Sequence, residues 1–543
     1  MSNGTKGNCF NRKLFLEKTK KSTGPWDIIV IGGGATGLGV AVDATSRGFK
    51  TLLLEQGDFA NGTSSRSTKL AHGGVRYLAQ GNISLVNEAL FERGLMIKNA
   101  PHLVKMLPFI IPSYRWWEKH FYGLGLKIYD WMARRFRLNK TKLISTQAVH
   151  QYMPHLKEKG LKGGVLYYDG QFDDARLAIN LAQTCAEQGG TLLNYVKVDK
   201  LKKNKEGLIS GIIAKDLINH EELDLNAKVV INATGVFVDD ILGMNSPIKS
   251  PMIKVSQGIH LVLEKSFFKG DHALMIPSTP DGRVLFAVPW HGHVLVGTTD
   301  TPLNSISLEP IALKSEISFV LETLGKYLDK KPAEKDVLSV FAGLRPLVMP
   351  SKEKGTKKIS RDHKLFTSSS GLITITGGKW TTYRKMAEDT IDEAVNIGNL
   401  KKMPCVTQGL KIHGYKKPKN AFHYLDVYGS DARLIQALAS NEIYLSEKLH
   451  PAFPNIKAEV VWAVKNEMAM TIEDVLARRL RVLFINAKAA IEMAPEVARL
   501  MALELNYDEA WQEAQINSFT KLAQNYLTEP FELKPSNTPK IQI

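Results

Sequence analysis

The sequence predicts an α/β protein built on a dinucleotide-binding βαβ unit, continued by mixed strands and helices and closed by a helical C-terminal domain. Three observations carry this expectation. A glycine turn, Gly32-Gly33-Gly34-Ala35-Thr36-Gly37, follows the apolar run Ile28-Ile29-Val30-Ile31, and Glu55 closes the next apolar run, Thr51-Leu52-Leu53-Leu54. Two more apolar runs, at 229–233 and 372–376, end in small residues hundreds of positions downstream. Beyond about residue 421, apolar side chains such as Val460, Val461, Val464 and Met468 recur at helical spacing.

Residues 1–25 form a basic tail without the apolar stretch of a secretory signal. Phe10, Leu14 and Phe15 offer one short amphipathic turn, so the tail is expected to be disordered. A transit peptide is the other reading of a basic stretch with one acid, Glu17. The βαβ unit follows at about 27–55. Gly32 permits the tight turn, Gly34 lets the backbone approach a pyrophosphate, and Gly37 lets the helix pack closely on the sheet. The helix N-terminus offers N–H groups and partial positive charge to phosphates. Glu55 stands where an acid accepts hydrogen bonds from ribose hydroxyls.

A Ser/Thr/Gly-rich loop at 62–74 leads to a helical stretch near 84–99. A helix is expected at 173–188, with Asp173 and Asp174 in its first turn and Leu177, Leu181 and Cys185 on one face. Strands are expected at 192–196, 229–233, 259–263, 284–288 and 372–376. Lysines, prolines and a glycine mark 396–420 as a linker. This leaves 26–395 as one α/β region, 421–530 as the helical domain and 531–543 as a tail.

The chain has 543 residues, 44% hydrophobic and 23% charged, which fits two or three globular domains. Its three cysteines, Cys9, Cys185 and Cys405, lie far apart and share no metal-ligand spacing, so neither a disulfide framework nor a metal is expected. Net charge is +17, which suggests a polyanionic partner or substrate. Residues 98–142 carry ten basic and two acidic residues, interleaved with Tyr114, Trp116, Trp117, Phe121, Tyr122, Tyr129, Trp131 and Phe136. No run approaches the ~18 apolar residues that span a bilayer.

Only one glycine fingerprint is present, so one nucleotide must serve alone. Three strand ends at small residues suit a long extended cofactor better than a nicotinamide held by one half-domain. The longer motifs then become specific. The stretch Thr63-Ser64-Ser65-Arg66-Ser67-Thr68-Lys69-Leu70-Ala71-His72-Gly73-Gly74-Val75-Arg76-Tyr77-Leu78 resembles the signature of FAD-dependent glycerol-3-phosphate dehydrogenases. So do Gly297-Thr298-Thr299-Asp300, Gly343-Leu344-Arg345-Pro346-Leu347 and Gly377-Gly378-Lys379-Trp380-Thr381-Thr382-Tyr383-Arg384, in that order. In the C-terminal domain, Glu473-Asp474-Val475-Leu476-Ala477-Arg478-Arg479 is similar to the family's helical region. Two stretches depart from it: Ala71 replaces a branched apolar residue, and Gln257-Gly258-Ile259-His260 differs from some bacterial members.

The resemblance covers about 26–525. It implies an FAD-binding Rossmann-like domain of the glutathione-reductase/D-amino-acid-oxidase type, interleaved with an α+β substrate domain over 26–395. It implies oxidation of sn-glycerol 3-phosphate to dihydroxyacetone phosphate, with electrons passed to membrane quinone. The residues expected around FAD are Gly32, Gly34, Gly37, Glu55, Thr63, Ser64, Ser65, Lys69, His72, Gly73, Gly74, Ala233, Gly235, Gly377, Gly378 and Thr381. For Lys69, bracing its own loop is the competing role.

A phosphate monoester needs convergent cations, and Arg76, Arg345, Arg361 and Lys379 are candidates, with Tyr77 as a hydroxyl donor. His260 is the candidate base, expected to titrate near neutrality, and acts with Arg345 and Lys379 as the catalytic set. Because His260 lies in a strand, a structural histidine is the competing reading. The expected partners are sn-glycerol 3-phosphate, quinone and an anionic membrane surface met partly through 98–142; a homodimer is compatible and no nucleic acid is expected. The expected location is peripheral, on the cytoplasmic face of the inner (cell) membrane, or the mitochondrial inner membrane in a eukaryote. The alternatives are a glycerol-3-phosphate oxidase releasing peroxide, a flavin amine or amino-acid oxidase, and a basic nucleic-acid-binding flavoprotein without turnover.

Overall fold

The structure, a computed structural model, describes residues 10–531 apart from 76–77, 79–80, 248–249, 280–281, 350–362 and 418–422. Its first sheet has eight strands. Along the sheet run Lys364–Thr367, Ile373–Thr376, Glu222–Asn232, Trp26–Ile31, Thr51–Leu54 and Thr191–Leu193, and the hairpin Val196–Lys203/Ile209–Asp216 extends it from the Glu222–Asn232 strand. The four pairings from Ile373–Thr376 to Thr191–Leu193 are parallel. Strands covered on both faces read as unbroken apolar runs, and every residue of Thr51–Leu54 is buried. The helix Ala35–Ser46 packs on this sheet between the helices Asp174–Glu187 and Tyr383–Ile397. It comes so close to the latter that a Cβ on Gly39 would lie 2.8 Å from the Tyr383 ring.

The second sheet has ten strands and is mostly antiparallel. Its longest pairing joins Ile253–Glu264 to Val337–Val348. It is the α+β layer implied for substrate, and its strands come from stretches interleaved with those of the first sheet. The C-terminal region is helical, with Ala432–Asn441, Lys457–Glu467, Ala487–Leu505 and Glu509–Ala523 around a π-helical turn at Asp474–Arg479. Its core is continuous with residues of the second sheet such as Phe341 and Val288. Asp173 caps the helix Asp174–Glu187 by accepting from the Arg176 N–H.

The expectation of a disordered tail fails for residues 10–20. Asn11 caps a helix at Arg12–Lys20, and Phe10, Phe15 and Leu16 are buried. Arg12 is also buried, donating to the Asn194 carbonyl at 3.1 Å and to Asp216 at 2.7 Å. These anchors lie some 180–200 residues away, so nothing local in the tail announces them. Residues 1–9 lie outside the described residues.

From 398 to 417 the chain forms neither helix nor strand, but it is tied down. Asn99 donates its amide to the Thr407 carbonyl at 3.2 Å, and His413 bridges Glu187 and Asp431, each at 2.7 Å.

Candidate active site

Parallel pairing aligns the C-terminal ends of four strands of the first sheet, where an open α/β sheet binds its ligand. The glycine turn sits at the centre. Gly32 has φ +108°, and a Cβ there would lie 2.7 Å from the Ala233 carbonyl oxygen. A Cβ on Gly37 would lie 1.9 Å from the Gly32 carbonyl oxygen, so the close approach of helix to turn is literal. Gly34 begins the helix Ala35–Ser46, and a Cβ there would meet only Ser64 Oγ at 3.1 Å. Ser64 Oγ accepts the Ala35 N–H at 2.9 Å. Glu55 accepts from the N–H groups of Gly33 at 2.6 Å and Gly57 at 2.8 Å, fixing the turn against the second strand; burial outweighs these bonds and pushes its pKa up.

The other strand ends close around this turn. Ala233 donates its N–H to the Ile31 carbonyl. Gly235, Gly377 and Gly378 all have positive φ, with open space at Gly235 and the Met386 sulfur 2.4 Å from where a Gly378 Cβ would be. Helix N-terminus, glycine backbone and acid are the parts a flavin dinucleotide needs, and open space flanks both Gly62 and Gly235.

The loop 62–69 bridges the two sheets. Thr63 Oγ1 donates to the Leu344 carbonyl at 2.5 Å, while Trp380 Nε1 donates to the Ser64 carbonyl at 2.8 Å. Ser65 is buried, and its carbonyl accepts from Lys69 Nζ at 2.7 Å and Arg481 at 2.9 Å. The expected contact of Lys69 with the cofactor gives way to the competing role. Its ammonium is fully buried on Asp174 at 2.6 Å, and its φ is +62°. Burial lowers its pKa to about 7, partly offset by Asp174. Gly73 donates its N–H to Tyr129 OH, which donates to Asp169, both at 2.7 Å. His72 donates its N–H to Thr381 Oγ1 at 3.3 Å, and Gly74 has φ +76°.

The second sheet presents the other face. Its long pair sets Ser256 opposite Arg345, Gly258 opposite Gly343 and His260 opposite Phe341. Two-residue periodicity puts these six on one face. Arg345 lies over Gly258, where a Cβ would meet its NH2 at 2.2 Å. It donates to the Thr299 carbonyl at 3.0 Å and to Thr298 Oγ1 at 2.9 Å, and Asp300 is 3.5 Å away. Thr299, with Thr301 and Gln257, also braces the buried carboxylate of Glu316.

His260 is buried, stacked on Phe341 at 5.1 Å, with Nε2 2.9 Å from Thr68 Oγ1. Burial, then Lys69 and Arg345, hold its pKa well below the usual imidazole value, so the expected titration near neutrality does not belong to this ring. Lys379 is half-buried at the start of the turn Trp380–Thr382, near enough to His72 to act on it electrostatically. Burial, then Lys379 and Arg93, lower the His72 pKa to about 3. Arg76, Tyr77 and Arg361 lie outside the described residues.

Beneath this site lie buried charges whose role no sequence motif announces. Asp58 receives Arg478 at 2.5 Å and also Arg479, and Asp174 receives Arg481 at 2.9 Å, all buried. Arg66 pairs with Glu309 at 2.5 Å, and Tyr526 donates to that same carboxylate. The one local signal was the spacing of Asp474 and Arg478, four apart, which pair at 2.6 Å.

Residues 27–384 match the FAD dependent oxidoreductase family, and 370–512 match the C-terminal domain of alpha-glycerophosphate oxidase. The chain is 40% identical to the mitochondrial glycerol-3-phosphate dehydrogenase of Bos taurus over 537 residues, 93% of this chain and 74% of that protein. The Homo sapiens protein of the same name gives the same identity and coverage. Among solved structures, the glycerol-3-phosphate dehydrogenase from Bacillus halodurans complexed with FAD superposes with a TM-score of 0.78 at 28% identity, covering 97% of this chain and 100% of that one. Glycine oxidase from Geobacillus kaustophilus, at 17% identity and TM-score 0.51, covers 74% of this chain and 100% of its own, and shares the fold.

Proposed function

The chain belongs to the FAD-dependent glycerol-3-phosphate dehydrogenases, and from that premise we propose how its residues serve the oxidation of sn-glycerol 3-phosphate to dihydroxyacetone phosphate. Bound FAD supplies the hydride acceptor. The glycine turn at Gly32, Gly34 and Gly37 and the N-terminus of Ala35–Ser46 hold its pyrophosphate, with Glu55 at the ribose. Arg345 and Lys379 bind the substrate phosphate. Arg345 is oriented for this by Thr298, Thr299 and Asp300, which take its other hydrogen bonds. His260 accepts the proton of the hydroxyl being oxidised, since a neutral imidazole is the form that can take one.

One observation supports this assignment above the rest. A single loop touches the helix N-terminus through Ser64 and the imidazole of His260 through Thr68, four residues on. It joins the dinucleotide crevice to the proton-accepting face. The test is anaerobic mixing of the purified holoprotein with sn-glycerol 3-phosphate. Loss of oxidised-flavin absorbance is expected; unchanged absorbance would defeat the reading.

Quinone is the proposed electron acceptor, taken from an anionic membrane to which the protein binds peripherally. That membrane is the cytoplasmic face of the inner membrane, or the mitochondrial inner membrane in a eukaryote. Support comes from the helix Glu118–Met132. Its inner side buries Gly123, Leu126, Tyr129 and Met132. Its outer side, with the residues just before it, exposes Trp116 (79%), Trp117, Phe121 (62%), Leu124 (65%), Ile128 and Trp131 (77%). Such an apolar ridge flanked by Lys119, Lys127, Arg134 and Arg135 suits an anionic interface. Among the described residues, no helix is long and apolar enough to cross a membrane.

A further inference from the structure

We propose that Thr68 is a positioning residue for His260: its hydroxyl holds the imidazole Nε2–H, which keeps the ring in the tautomer whose Nδ1 lone pair receives the substrate's hydroxyl proton. This rests on the reading of His260 as the base.

The imidazole has very little freedom. It is 2% exposed and lies nearly parallel to the Phe341 ring, at 21°. A Cβ on Gly297 would lie 2.3 Å from its Cδ2, so only glycine leaves room for the ring there. Nε2 is 2.9 Å from Thr68 Oγ1, whereas Nδ1 is buried with no hydrogen-bond partner among the described residues.

Two neutral tautomers are available, and they are unequal here. With the proton on Nδ1, a buried N–H would have no acceptor, a costly arrangement. With the proton on Nε2, Thr68 accepts it, and the hydroxyl hydrogen of the half-buried threonine can rotate away from the ring. Only this second tautomer leaves a lone pair on Nδ1. In the reaction the substrate O–H bond breaks and an N–H bond forms at Nδ1, while the hydride from the carbinol carbon passes to FAD. The resulting imidazolium keeps its Nε2–H on Thr68.

Thr68 is itself held from both sides by one carboxylate. Asp174 Oδ2 accepts from the Ser67 N–H at 3.0 Å, Ser67 Oγ at 2.7 Å and Lys69 Nζ at 2.6 Å. Its other oxygen receives Arg481 of the C-terminal domain at 2.9 Å. The backbone that carries the hydroxyl is therefore held by neighbours that, among the described residues, make no hydrogen bond to the His260 ring.

The experiment compares Thr68→Val, Thr68→Ala, Thr68→Ser, His260→Gln and the Thr68→Val/His260→Gln pair. Flavin reduction by sn-glycerol 3-phosphate is followed anaerobically and expressed per bound flavin. ¹⁵N-histidine NMR of the oxidised holoprotein reports which ring nitrogen is protonated. Thr68→Val and Thr68→Ala are expected to slow reduction about 10–100-fold with flavin content intact, and to shift His260 away from Nε2–H. Thr68→Ser should restore the rate to within about threefold, and the double variant should be no slower than His260→Gln alone. The proposal is overturned if His260→Gln is slow while Thr68→Val reduces flavin at the wild-type rate, or if Thr68→Ser is as slow as Thr68→Ala. If His260→Gln reduces flavin normally, the base assignment itself fails, and the role of Thr68 with it.

Discussion

The exposed ridge makes a quantitative claim about membrane affinity. Trp116 and Trp131 are 79% and 77% exposed, at the two ends of the ridge. A tryptophan carries roughly 200 Å² of surface, so the two together offer about 300 Å² to an apolar phase. At ~25 cal/mol per Å² full transfer would be worth about 7–8 kcal/mol. A helix lying in the headgroup region buries about half of such a face, leaving about 3–4 kcal/mol. Replacing both with serine should therefore weaken partitioning onto vesicles about 10²–10³-fold. The fold should survive, because the opposite side of the helix supplies Leu126, Tyr129 and Met132 to the core. The assay is co-sedimentation with vesicles containing anionic lipid at fixed ionic strength, alongside thermal unfolding. Lys127→Glu with Arg134→Glu should reduce binding further at low salt and little at high salt, as headgroup attraction is screened. Folded Trp116→Ser/Trp131→Ser protein that binds as tightly as wild type would refute the placement of the membrane on this face.

Four further outcomes are expected. Arg345→Ala and Lys379→Ala should each lower kcat/KM for flavin reduction ~10–100-fold with flavin content unchanged, the loss of one charge-assisted hydrogen bond to phosphate; unchanged activity would remove them from the substrate site. Gly34→Val should yield protein without flavin, seen as loss of visible absorbance, because a branched side chain would crowd Ser64 and the space beside it. Asp58→Ala leaves the buried Arg478 and Arg479 without their shared carboxylate, so about 3–5 kcal/mol of stability should go, read by denaturant titration. His413 is pulled toward its neutral form by burial but held protonated by Asp431 and Glu187, so its pKa rises from 6.5 to about 9. A raised pKa stabilises the fold fully below about pH 6.5, and that contribution fades as pH climbs through 9. Because Glu187 is 46% exposed, about 1–2 kcal/mol is expected, and His413→Gln should flatten stability between pH 6.5 and 9.

What the sequence made legible was local geometry. The turn at Gly32–Gly37 declared itself because its glycines have steric reasons readable one at a time, and the capping of Asp174–Glu187 because Asp173 stands one residue before it. The strand ends at Ala233 and Gly377 could be seen to end in small residues, yet only parallel pairing makes them neighbours of Gly32. What stayed hidden was long-range charge. Lys69 looks the same in sequence whether it meets a phosphate or Asp174, 105 residues away. Arg12 looks like one more basic residue of a tail until Asp216 is brought beside it. His260 was readable as an imidazole in a strand, while its depressed pKa depends on burial and on Lys69 and Arg345 arriving from other segments.

The paired strands Ile253–Glu264 and Val337–Val348 carry His260 and Arg345, the proposed proton acceptor and anion binder, on one surface, with Gly258 and Gly343 between them. His260 lies four residues along from Ser256, the partner of Arg345, or about 13 Å of backbone at ~3.3 Å per residue. Arg345 reaches back over Gly258 and shortens that span. Slippage by one residue would turn every side chain to the opposite face, so the spacing cannot drift. In the roles proposed for His260 and Arg345, the sheet would work as a gauge for substrate length. A polyol phosphate whose oxidisable carbon sits farther from its phosphorus would overrun one end, and selectivity among such esters should follow chain length more than hydroxyl count.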